Sequence, residues 1–142
     1  MNEFPTPSSL IPHRPPFLFV DQITALNPGQ SASGLWRLTG DESFFAGHFV
    51  RRPTLPGVLM CEAIAQVGAI AILSDEKFKN KLPLFGGIDS ARFRRQVVPG
   101  DTLEMSITLT KMSARAGKGT GLATVNGEIA CQCELFFVVV DS

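Results

Sequence analysis

The sequence predicts an α+β fold: a curled antiparallel sheet wrapped round one long central helix. Three observations lead there. Residues 57–73 are apolar almost all round, so the helix they form must be covered on most sides. After residue 81 the pattern changes from helical to alternating, as in strands with one buried face. Asn126-Gly127 then stands between two strand-like runs as a two-residue hairpin signal.

Taken in order, residues 5–16 hold five prolines and read as an irregular lead-in with one helical turn at Ser8-Ser9-Leu10. Phe17 to Ile23 is rich in strand formers and reads as a first strand. Asn27-Pro28-Gly29 is a turn, and Ser33 to Thr39 returns as a second strand around Trp36. Asp41 to Ala46, polar then aromatic, forms a short turn of helix that sets up Gly47-His48. The central helix begins near Pro56 or Gly57, since proline suits a helix start, and ends near Leu73-Ser74. Asp75 to Lys81 is charged, solvated and stops it.

Leu84 to Ile88 and Ala91 to Arg94 read as strand with a glycine bend or bulge between them. Val98-Pro99-Gly100-Asp101 is a turn. Leu103, Met105, Ile107 and Leu109 then alternate with Glu104, Ser106, Thr108 and Thr110, the cleanest half-buried strand of the chain. Cys131 to Val140 ends in a nearly unbroken apolar run, which belongs deep in the sheet or at a subunit interface. There is no internal repeat and no low-complexity tract.

Length and composition narrow the function. At 142 residues the chain is one domain, 1–142. With 44% apolar and 18% charged residues it can bury a proper core. Lys+Arg and Asp+Glu both number 13, so a general nucleic-acid role lacks its electrostatic field. The helix at 57–73 carries Glu62 and Gln66 and is short for a membrane span. Three cysteines without C-x-x-C spacing, Cys61, Cys131 and Cys133, argue against a disulfide framework and a zinc site and read as buried free thiols. The N-terminus lacks a charged-then-apolar signal, which makes a cytoplasmic location the default expectation. Gly117-Lys118-Gly119-Thr120-Gly121 suggests a phosphate loop only superficially, because a hairpin follows it where a helix is needed. Neither Gly-x-Ser-x-Gly nor a histidine cluster is present, so serine nucleophiles and metal hydrolysis lack support.

The constellation that can carry chemistry is His48 with Glu62, separated by a Pro-Gly helix start. A carboxylate in an apolar helix is costly to desolvate without a partner. Arg51 or Arg52 could pair with it to fix the loop, and His48 could be an ordinary hydrogen-bonded loop residue. Together, though, a buried acid of raised pKa and an imidazole near neutrality can exchange protons at working pH. Phe49 offers the imidazole an apolar wall. The N–H groups of Gly57 and Val58 sit at the helix N-terminus, where developing negative charge is welcome. Base, acid and oxyanion donor are what abstraction of a proton α to a carbonyl requires.

At these residues the chain resembles the 3-hydroxyacyl-[acyl-carrier-protein] dehydratases of fatty acid synthesis, the FabZ type, which have the hotdog fold. The matching pieces are Pro12-His13-Arg14 with Pro16-Phe17, Val20-Asp21, Phe44-Phe45 with Gly47-His48-Phe49, and Arg52-Pro53 with Leu55-Pro56-Gly57-Val58-Leu59. They continue through Glu62-Ala63 with Ala65-Gln66 to Phe93-Arg94-Arg95 with Val98-Pro99-Gly100-Asp101, in order over most of the chain. The resemblance implies dehydration of a (3R)-hydroxyacyl thioester to the trans-2-enoyl thioester on acyl carrier protein, without cofactor. It implies that His48 and Glu62 are catalytic and face one another from opposite subunits of a homodimer, often assembled as trimers of dimers. Gly57 N–H would steady the thioester oxygen, Gln66 would orient Glu62 or a water, and Val58 and Phe49 would line the substrate site. Arg94 and Arg95, with Arg92, would form a dock for the acidic carrier and its phosphate, or simply a solvated strand face. Glu62, where the dehydratase-isomerase branch has Asp, resembles the dehydratase-only branch.

The chain departs from the family at Val50, where Pro usually follows His-Phe, and at the glycine-rich Arg115 to Gly121. A hotdog thioesterase, an enoyl-CoA hydratase and a non-catalytic acyl-binding subunit remain as alternatives.

Overall fold

A computed structural model describes residues 3–142. Short helix α1 (Pro7–Leu10) is followed by β1 (Gln22–Asn27), β2 (Ser31–Arg37), the long helix α2 (Gly57–Leu73), β3 (Lys81–Phe93), β4 (Thr102–Met112), β5 (Ala116–Val125) and β6 (Glu128–Asp141). One six-stranded sheet takes the order β1-β2-β4-β5-β6-β3, every pairing antiparallel, with α2 packed on its inner face. The α+β arrangement predicted from the periodicities is the one observed.

Helix α2 is buried because of its composition. Twelve of its residues, from Met60 to Ile72, are buried, Gln66 among them. The strands meet it with alternate side chains. Leu103, Met105 and Ile107 of β4 point inward, as do Leu135 and Phe137 of β6. Burying such side chains stabilises the fold by about 1.5–3 kcal/mol each. Asn126 and Gly127 both take positive φ, 52° and 80°, as a tight two-residue hairpin between β5 and β6 demands.

The glycine-rich stretch is neither loop nor phosphate cradle but the first half of β5. Gly117, Gly119 and Gly121 occupy its inward positions. A Cβ built on Gly121 would lie 2.4 Å from Ile64 Cγ2, and one on Gly68 would lie 2.6 Å from Phe137 Cζ. Helix and sheet therefore approach closely because both faces lack side chains there.

Three expected elements differ. Phe17 to Asp21 lies outside the sheet, and β1 starts at Gln22. The reason is the Gln66 side chain, which satisfies the backbone of this segment in place of a neighbouring strand. Its Oε1 accepts from Phe19 N at 2.8 Å and its Nε2 donates to Phe17 O at 2.9 Å. β2 begins two residues earlier than read from the sequence, at Ser31. Residues 81–93 form one strand, its register shifting between Phe85 and Gly87 and again between Ile88 and Ser90. The charged stretch after α2 holds a 3₁₀ turn (Glu76–Phe78) whose Phe78 is buried, and Ser43–Ala46 forms another ahead of His48.

Candidate active site

The residues singled out from the sequence fall on the loop that enters α2, on the first turns of that helix and, for Arg94 and Arg95, just after β3. The loop is closed on itself. Thr54 N donates to His48 O at 2.6 Å, while Phe49 and Arg52 exchange backbone bonds of 3.2 and 3.1 Å. His48 Nδ1 lies 2.8 Å from Thr54 O. A carbonyl can only accept, so this contact assigns the imidazole proton to Nδ1 and leaves the Nε2 lone pair free. The ring stacks on Phe49, centroids 4.1 Å apart.

Helix α2 starts directly after Pro56, which supplies no side-chain cap. Among the described residues the N–H groups of Gly57 and Val58 form no hydrogen bond. They are the unsatisfied donors of a helix N-terminus, available to an oxygen that gains charge. Phe93 covers this mouth: a Cβ on Gly57 would lie 2.9 Å from its ring carbons. Sequence reasoning did not single out Phe93 as lining the helix start; its strand position alone does not reveal that it reaches there.

Glu62 stands in the second turn of α2, its side chain 16% exposed. Burial pushes its carboxyl pKa up, and a hydrogen bond from Gln66 Nε2 at 2.9 Å partly opposes that. Gln66 is buried and uses both ends of its amide, which fixes the side the carboxyl faces. Neither Arg51 nor Arg52 reaches Glu62; Arg52 Nε donates to Gln96 instead. Within one chain no ion pair joins His48 to Glu62. The imidazole beside the carboxyl is that of His13, with Nε2 3.7 Å from Oε2. Ion-pair distance would favour charges on both groups, yet burial works the other way. It lowers the His13 pKa, with help from Arg14, and raises that of Glu62, so both groups are driven towards neutrality. A lone histidine in a proline-rich lead-in gave no sign of this contact.

His13, Glu62 and Gln66 line a cavity of about 360 Å³, whose other walls are apolar, among them Phe17, Ala65, Ala69, Leu84 and Phe137. Met60 and Ile64, on the other side of the helix, are wholly within the core. Arg94 is exposed, its Nε donating to Gln132 Oε1 at 2.6 Å. Arg95 is turned to Asp101 and Glu128 at 3.7 and 3.6 Å. Cys61, Cys131 and Cys133 are buried and unpaired, but their sulfurs all lie within 4.8 Å of one another, a juxtaposition that sequence spacing does not show.

A sheet curled round one buried helix, with an acid on that helix facing an apolar cavity, defines the hotdog class, and comparison with known proteins agrees. The model of the FabA-like domain family matches residues 11–134. The dehydratase heterocomplex ApeI:P from Xenorhabdus doucetiae superposes with a TM-score of 0.79 at 16% identity, over 99% of this chain and 93% of that one. A hypothetical thioesterase from Streptococcus pneumoniae, solved with coenzyme A, superposes at 0.66 and 9% identity, over 85% and 86% of the two chains. At such identities the likeness is one of fold. In sequence the chain is 57% identical to the 3-hydroxyacyl-[acyl-carrier-protein] dehydratase FabZ of Clostridium botulinum strain Langeland, over 92% of this chain and 90% of that protein. It is 53% identical to the FabZ of Clostridium novyi, over 92% of each. The chain belongs to the FabZ family of 3-hydroxyacyl-[acyl-carrier-protein] dehydratases.

Proposed function

We propose that His48 of one protomer and Glu62 of its twin carry the reaction of this FabZ chain. That reaction is removal of water from a 3-hydroxyacyl-[acyl-carrier-protein] in fatty acid biosynthesis. The observation that carries the assignment is Glu62 itself: a carboxyl whose pKa burial raises, at the polar end of an apolar cavity.

The chemistry follows from the atoms. His48 Nε2, left basic by the bond from Nδ1–H to Thr54 O, takes the α-proton. Negative charge moves to the thioester oxygen, where the free N–H of Gly57 receives it; one such donor contributes about 3 kcal/mol. The C3–O bond breaks as Glu62 gives its proton to the departing hydroxyl, so water leaves and the α,β double bond remains. Transfer of the proton from His48 back to Glu62 resets the site. Gln66 holds Glu62 in place, and the acyl chain runs along Ala65 and Ala69 of α2. Val58, 66% exposed, and Phe49, 55% exposed, border the helix mouth on the substrate side. Of the two arginines Arg94 is the better contact for a carrier phosphate, because Arg95 is already engaged by two acids.

Two observations support a homodimer. Edge strand β3 leaves one side unpaired while presenting Leu84, Ile88 and Phe93 to solvent. Within its own chain Glu62 meets the imidazole of His13, at 3.7 Å, and not that of His48.

His48→Ala and Glu62→Gln should each reduce dehydration of a 3-hydroxybutyryl thioester by about 10²–10⁴-fold with the fold intact. Unfolding and refolding the two variants together should then restore about a quarter of wild-type activity, since half the dimers carry one complete site. No recovery on mixing would sink the shared site, and full activity in either variant would remove the mechanism.

A further inference from the structure

We infer that Cys61, Cys131 and Cys133 form a three-thiol pocket that captures an uncharged trivalent thiophile, of which arsenous acid is the simplest, and that capture switches the enzyme off. The three sulfurs come from two elements. Cys61 projects from the second turn of α2, and Cys131 and Cys133 are alternate inward residues of β6. All three lie within 4.8 Å of one another and none is in a disulfide. Bonds of about 2.3 Å to a single pyramidal centre set the sulfurs about 3.5 Å apart, so closure needs each to move by less than about one ångström.

Burial selects the ligand. Cys61 and Cys131 are fully buried and Cys133 is 4% exposed, with Ile64 and Gly121 packed beside them. A net charge in a dry core is costly. A divalent cation held by three thiolates would leave one negative charge there. A trivalent hydroxide leaves none: three S–H and three As–O bonds break, and three S–As and three O–H bonds form. Three waters depart, nothing is oxidised or reduced, and the product is neutral. Entry takes place through transient opening of the helix start.

The pocket adjoins the catalytic residues on two sides. Glu62 is the next residue after Cys61. Cys131 pairs across the sheet with Phe93, whose ring covers Gly57. Drawing the sulfurs together therefore displaces the acid and the helix mouth in one movement. The inhibitory part of the inference rests on the dehydratase reading; the capture does not.

The test is native mass spectrometry of the reduced, full-length protein with sodium arsenite. The expected result is one arsenic per chain with loss of three hydrogens, all three thiols becoming unreactive to a thiol reagent added after denaturation. Dehydration should fall at least tenfold with the same concentration dependence. Cys61→Ala, Cys131→Ala and Cys133→Ala should each abolish the tight adduct. Unmodified wild-type protein, or an adduct that spares a thiol, would overturn the pocket, and needs no variant to fold. A complete three-thiol adduct with undiminished dehydration would overturn the switch alone. Loss of activity without an adduct would place arsenite's effect elsewhere and refute both.

Discussion

At the scale of single residues Gln66 does the most. It closes three hydrogen bonds at once, to Phe17 O, Phe19 N and Glu62 Oε2, and so ties the cavity wall to the proposed acid. Replacing it by Leu leaves the Phe19 N–H buried and unpaired, a loss of about 1–3 kcal/mol measurable by denaturant unfolding. It also removes the bond that favours ionised Glu62, so the alkaline limb of the pH–rate profile should move to higher pH, where a purely structural role would leave it unmoved. The folded-state pKa of Glu62 lies above its unfolded value, so folding is favoured below the unfolded value and that advantage is lost as pH rises through the folded one. Glu62→Gln should accordingly match wild type in acid and unfold at higher denaturant above that window. His48, Gly57 and Glu62 could be chosen from sequence because residue type and a helix start suffice to name candidates. His13 could not, because its approach to Glu62 depends on how a proline-rich segment folds back over α2.

At the scale of elements, periodicity decided what could be read. Helix α2 announces itself by a long run apolar on nearly every face behind a proline, strand β4 by an unbroken 2-residue alternation, and both are found where the sequence puts them. The segment 17–21 has strand composition but no strand partner, since a side-chain amide satisfies its backbone; local composition carries no trace of that. β5 misleads for the opposite reason: glycines alternate where apolar residues would announce a strand, because α2 leaves no room for them. That room can be measured. Gly121→Val would drive its side chain into Ile64, 2.4 Å from the first added carbon, and should destabilise the protein by about 1–3 kcal/mol. Thr120→Val, exposed on the opposite face of the same strand, should change stability by less than about 0.5 kcal/mol. Thermal unfolding of the pair separates a packing limit from a general dislike of substitution in β5.

For the whole molecule, the proposal that a second copy finishes the site turns on the border of the sheet. A sheet that stops at β3, thirteen residues long and paired on one side, leaves a row of amides and carbonyls along its border. Ile88→Lys on that border should raise the dimer dissociation constant, seen by sedimentation, and lower dehydration in proportion to the monomer formed.

That unfinished border makes concentration a hidden variable. If two borders complete one another, each chain's output depends on how often it meets its equal, so activity per molecule should fall on extreme dilution and return on concentrating. An excess of the His48→Ala twin, which keeps its Glu62 and its border, should rescue the dilute enzyme, up to one working site for every mixed pair.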